Sequence, residues 1–60
     1  MKFLLHFQID NDAFQGERKR NEIATALEDV ARRVRGGTEA GRITDSNGNG
    51  VGFFDEVKGV

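Results

Sequence analysis

Sixty residues make one small domain near the lower limit of chains that fold alone, because a chain of this size buries only about 60% of the surface its unfolded form exposes. The absence of cysteine excludes disulfides and leaves self-association or an ion as the usual support for so small a core. Nine basic and ten acidic residues give a net charge of −1, so the whole-molecule field offers no reason to expect a nucleic-acid partner, and no apolar run is long enough for a membrane span.

The chain opens with Phe3, Leu5, Phe7 and Ile9 alternating with Leu4, His6, Gln8 and Asp10. That period of two predicts a strand over residues 2–10 with one buried face. Leu4 and His6 leave the other face only partly polar, which predicts partial cover by another chain. Met1 to Leu5 has the outline of a secretory leader, but His6, Gln8 and Asp10 break its apolar run, and the cysteine-free chain reads as cytoplasmic. His6 is the one side chain that ordinarily titrates near neutrality, yet no Ser, Cys or second His stands with it to build a relay. A chain this short also has little room for a deep pocket, so the sequence reads as a non-enzyme and calls for no cofactor.

Asp10-Asn11-Asp12-Ala13-Phe14-Gln15-Gly16 is a run of turn formers that ends the strand and leads towards a helix. Phe14 is its apolar exception and predicts an anchor that packs back on the first helical turns. The three polar side chains Asp10, Asn11 and Asp12 are a possible cation cluster, weakened by the different directions in which consecutive residues point.

A helix is predicted over residues 17–35, where Ile23, Leu27, Val30 and Val34 recur at steps of four, three and four, flanked by Ala26 and Ala31. Gly36-Gly37 stops it, with Gly36 suited to the left-handed position. Arg32, Arg33 and Arg35 complement the negative end of the helix dipole, and Glu28 with Arg32 and Asp29 with Arg33 form pairs in the favoured orientation. Arg18, Lys19 and Arg20 do the opposite. Three cations in the first turn oppose the positive end of the dipole, at some tenths of a kcal/mol each, with only Glu17 and Glu22 to offset them. A local rule broken without evident gain marks a candidate contact for an acidic protein surface, a nucleotide phosphate or nucleic acid; the alternative is a solvated charge cluster.

Residues 41–54, Gly-Arg-Ile-Thr-Asp-Ser-Asn-Gly-Asn-Gly-Val-Gly-Phe-Phe, admit two structures. In a β-hairpin, Ser46-Asn47-Gly48 is a three-residue turn closed by Asp45 and Asn49, with Gly48 left-handed, Ile43 opposite Val51 and Phe53 beside them on the core face. In a calcium loop, Asp45, Asn47 and Asn49 supply side-chain oxygens, Gly50 the sharp turn, Val51 a carbonyl, Phe53 a water-mediated position and Glu56 a bidentate carboxylate. The hairpin is favoured, since β-branched Gly41-Arg42-Ile43-Thr44 is no entering helix, Gly52 replaces the usual aliphatic at the eighth position, and no second loop is present.

The segments Asp10-Asn11-Asp12-Ala13-Phe14 and Asp45-Ser46-Asn47-Gly48-Asn49-Gly50-Val51-Gly52 resemble those of small, mostly uncharacterised proteins encoded by phages and prophages. These share an amphipathic first strand, a D-N-x-A-F segment, a charged helix ending in glycine and a closing D-x-N-G-N-x-V-G hairpin. The resemblance implies a phage or prophage origin and a hairpin in place of a calcium loop, and it carries over no catalytic residue. Gly50 and residues 55–60 depart from the pattern.

The expected fold is thus α+β: a single β-α-β-β domain over residues 1–60, with one helix on the face of a three-stranded sheet that carries Phe3, Leu5, Phe7, Ile9, Ile43, Val51 and Phe53. The first two strands would be parallel if adjacent. Two open edges and an uncovered face with Leu4, His6 and Phe54 predict a homodimer. The expected function is that of a small phage factor that docks on a host or phage protein, for instance to inhibit a defence system, with Arg18, Lys19 and Arg20 as the contact. A ligand binder, taking calcium at residues 45–56 or a nucleotide phosphate in a dimer, and a minor virion component are the alternatives.

Overall fold

A computed structural model describes residues 1–59. Strand β1 (Lys2–Phe7), helix α1 (Lys19–Arg35), strand β2 (Ala40–Thr44) and strand β3 (Gly50–Val57) follow in the expected β-α-β-β order, with 3-10 turns at Asp12–Phe14 and Gly16–Arg18 between β1 and α1. The sheet order is β1-β3-β2, antiparallel at both junctions. The crossover through α1 therefore does not set β1 beside β2, because the last strand enters between them. Among the described residues no helix is long and apolar enough to cross a membrane.

β1 is shorter than its alternation suggests. Gln8 N still donates to Val51 O at 2.9 Å, but the register carries Ile9 only to Gly50, the first residue of β3, and Asp10 past its end. The chain turns instead at Asn11.

α1 ends at Arg35 as expected, but the left-handed glycine comes one residue later. Gly36 stays right-handed with φ −80°, and Gly37 takes φ +103°. This placement lets Thr38 N donate to Arg33 O and Gly37 N to Val34 O, both at 3.0 Å, the paired bonds of a Schellman ending. The helix also sits rotated from its apolar stripe. Ala26 and Val30 are buried, whereas Leu27 and Val34 are exposed. Arg32 and Arg33 both turn to Asp29, at 2.7 and 3.4 Å, so Glu28 is not the partner that Arg32 takes.

The hairpin forms as expected at its tip and differs below it. Asp45 and Asn49 close the turn, Gly48 has φ +85°, and Gly48 N donates to Asp45 O at 3.0 Å. Thr44 faces Gly50, but Ile43 faces Gly52, leaving Val51 as an extra residue in β3. This bulge moves every later residue of β3 to the opposite face. Phe54, expected outside, is fully buried; Phe53, expected inside, is exposed on the face with Leu4 and His6.

The core is Ala26, Val30, Ile43 and Phe54, with Leu5, Phe7 and Val51 packed against it. Phe54 stacks on Phe3 at 6.0 Å between centroids, and the Arg33 guanidinium covers its ring at 5.0 Å. Burying such a side chain contributes about 1.5–3 kcal/mol, a large share of the stability of so small a domain.

Candidate functional site

The loop between β1 and α1 is built around two apolar residues and one amide. Ala13 and Phe14 are buried in the first 3-10 turn, and Phe14, expected as an anchor on the first helical turns, has its ring against Phe7 of β1 with centroids 6.0 Å apart. Asn11 caps the turn by accepting from Ala13 N at 3.1 Å. Its amide Nδ2 then donates to Asp45 Oδ2 at 2.7 Å, tying this loop to the hairpin tip across 34 residues of sequence.

The three cations expected as a contact lie at the start of α1. Arg18 closes the second 3-10 turn and occupies the position before α1, with no side-chain hydrogen bond to cap the first helical N–H groups. Lys19 and Arg20 open the helix. All three side chains are exposed. Among the described residues the ion pairs are Arg32 and Arg33 with Asp29 and Lys58 with Glu39, so none of the three cations is in one. Their positive charge adds to the partial charge of the uncapped helix end and faces water.

The calcium ligand set is divided. Asp45 Oδ1 accepts from Asn47 N and Asn49 N, each at 2.9 Å, and Oδ2 accepts from Asn11 Nδ2 and, at 3.4 Å, from Asn49 Nδ2. Partial burial works to raise the carboxyl's pKa, but the bonds from Asn49 N, Asn11, the Asn49 amide and Asn47 N outweigh it and hold it below the ordinary aspartate value. Asn47, Asn49 and Val51 stay near the tip, whereas Glu56 lies opposite Phe3, six strand residues from Gly50 or about 20 Å along β3. The structure thus places Asp45 as an acceptor for its own turn and sets Glu56 at the far end of the sheet. Asp10 and Asp12 likewise point into solvent while Asn11 alone turns inward, so the three do not converge.

His6 lies on the open face of the sheet with its ring edge-on to Phe53, 4.5 Å between centroids and 77° between planes. Two side chains carry structural roles that the sequence pattern hides: Asn11, whose turn-forming type signals a cap but not its remote partner, and Arg33, which spans Asp29, the Phe54 ring and the Arg42 carbonyl. No protein-family model, curated protein or solved structure matches the chain.

Proposed function

We propose that this chain is a non-enzymatic binding protein of phage or prophage origin that docks on a host or phage protein and modulates it, with Arg18, Lys19 and Arg20 as the contact. The observation that carries this reading is the helix start itself: three exposed cations at a helix end that no side chain caps, outside every ion pair among the described residues. Such an arrangement destabilises the free protein slightly and becomes favourable when an acidic surface supplies the missing negative charge. Inhibition of a host defence protein is one form that modulation takes. The likeness of residues 10–14 and 45–52 to small phage and prophage proteins supports the origin.

The test is capture from host cells with tagged wild-type protein and with the triple reversal Arg18→Glu, Lys19→Glu, Arg20→Glu, both checked for helix content by circular dichroism. An acidic protein retained by the wild type, released as salt rises and lost by the folded variant supports the assignment. The same proteins captured by both removes the triplet as the contact.

A further inference from the structure

The two edges of the sheet are treated differently. β3 lies in the middle, so β1 and β2 each present one edge to solvent. In an antiparallel ladder the backbone groups of alternate residues point to the neighbouring strand and away from it. On β2, Glu56 N donates to Glu39 O, and the register then turns Gly41 and Ile43 towards β3 and Arg42 outward. Arg33 Nη1 donates to that outward Arg42 carbonyl at 2.7 Å, so the β2 edge carries a charged residue and a side-chain cap.

On β1, the bond from Gln8 N to Val51 O fixes the alternation, and Phe3, Leu5 and Phe7 turn their N–H and C=O groups outward. No charge, proline or bulge guards this edge from Phe3 to Phe7, the devices by which open strands normally avoid pairing. Directly beside it runs an open groove lined by Phe3, Leu5, Leu27, Ala31, Val34 and Arg35. Phe3, Leu27 and Val34 are 47%, 44% and 38% exposed there.

We infer that the β1 edge and this groove form a homodimer interface, filled by β1 and α1 of a second copy across a twofold axis at Leu5. A twofold axis sets a surface against itself, so the register must match and no charge can meet its own kind. Both conditions hold. Pairing about Leu5 sets Leu5 opposite Leu5 and Phe3 opposite Phe7 of the second copy, so the three residues whose backbone groups point outward become the hydrogen-bonded pairs. Their apolar side chains all lie on the helix face. Lys2 falls opposite Gln8 and meets no second cation. On α1, the stripe Leu27, Ala31 and Val34 carries no charge, and Arg35, the one charged residue lining the groove, stands at its C-terminal end, which a twofold axis perpendicular to the sheet turns away from its own counterpart. The result is a six-stranded sheet with two helices on one face, which covers the apolar helix positions that the single chain leaves open.

Two measurements test it. By sedimentation over a range of concentrations, the wild type moves from its 6.7 kDa monomer to twice that mass. The double variant Leu27→Lys, Val34→Lys raises the dimer dissociation constant by about tenfold or more, while Phe53→Lys on the open face leaves it unchanged. The second measurement uses the lack of native cysteine. Lys2 and Gln8 of opposite copies form a non-hydrogen-bonded pair, whose close Cα separation suits a disulfide. An equimolar mixture of Lys2→Cys and Gln8→Cys proteins therefore cross-links on mild oxidation into the mixed dimer, and each variant alone cross-links far less. A monomer up to millimolar concentration, a dimer broken by Phe53→Lys and not by the helix variant, or cross-linking of Lys2→Cys with itself as readily as with Gln8→Cys overturns the interface.

Discussion

The hairpin tip and the helix start are the two most polar regions of the molecule, and they use their polarity in opposite ways. At the tip, Asp45 receives four N–H donors, from Asn11, Asn47 and twice from Asn49, and its own N–H and C=O close the turn. At the helix start, Arg18, Lys19 and Arg20 stand exposed beside N–H groups that no side chain caps. Charge that is fully engaged inside the molecule specifies its shape. Charge that the fold leaves exposed, and even pays for, is what remains for another molecule. The comparison predicts that substitutions at the tip lower stability, and that substitutions at the helix start leave stability intact or raise it while abolishing docking.

The largest effect is expected just below the tip, at Gly52. A Cβ there runs into the His6 carbonyl oxygen and lies 2.5 Å from Phe7 Cα and 2.7 Å from Phe7 Cβ. The oxygen and Cα are backbone atoms of the paired strand and Phe7 Cβ is fixed directly to it, so none can swing aside as the far end of a flexible side chain does. Gly52→Ala must either push β1 away from β3 or undo the bulge at Val51, and we expect a loss of about 3 kcal/mol or more, the upper end of overpacking effects. Against the few kcal/mol available to a domain of this size, chemical denaturation should find a substantial unfolded fraction without denaturant. A midpoint equal to that of the wild type would show that the two strands are not held so closely.

Asp45→Asn comes next and carries a pH signature. The native carboxyl titrates below its unfolded value of 3.8, so its contribution is fully present above that value and is lost as pH falls through the lower, folded one. Wild-type stability should therefore fall below about pH 4. The asparagine variant should be less stable at neutral pH and should lose that acid step, because an amide at 45 sets an NH2 group against one of the donors now bonded to Oδ1 or Oδ2. Thermal unfolding of both proteins between pH 2.5 and pH 7 reads the difference. An acid step of equal size in the variant would assign it to another carboxylate.

These effects also mark what the sequence made legible. The α1 span, the face of β1 that carries Phe3, Leu5 and Phe7, the Ser46-Asn47-Gly48 turn and the basic helix start are all local patterns, and each was readable from spacing alone. The face of β3 was not, because Phe53 and Phe54 are adjacent and equally apolar, so the alternation fits either one inward. The bulge at Val51 decides it, and that bulge depends on Gly52 meeting Phe7 of a strand 45 residues earlier. The Asn11 to Asp45 bond is equally non-local, and so is the strand order, since nothing in β3 itself says that it pairs on both sides. On α1 the stripe of Leu27 and Val34 was legible as apolar but not as half-exposed. Its burial depends on where the helix rests over the sheet, and Ala26 and Val30 take the close approach.

The smallest effect on stability is expected at the helix start, and its sign is what matters. Reversing Arg18, Lys19 and Arg20 to glutamate replaces charges that oppose the positive end of α1 with charges that complement it, and each exchange is worth some tenths of a kcal/mol at low salt. The triple variant should therefore unfold at a slightly higher temperature than the wild type, by about 1 kcal/mol in all, and the gain should shrink as ionic strength rises and screening shortens the reach of the dipole. A loss of stability would mean that the cations hold the loop around Phe14 or the second 3-10 turn in place, and would return them to the same class as Asp45. If instead the variant gains stability and loses its partner, the wild-type sequence retains a destabilising triplet whose only return is binding. That is the outcome that separates the helix start from the hairpin tip.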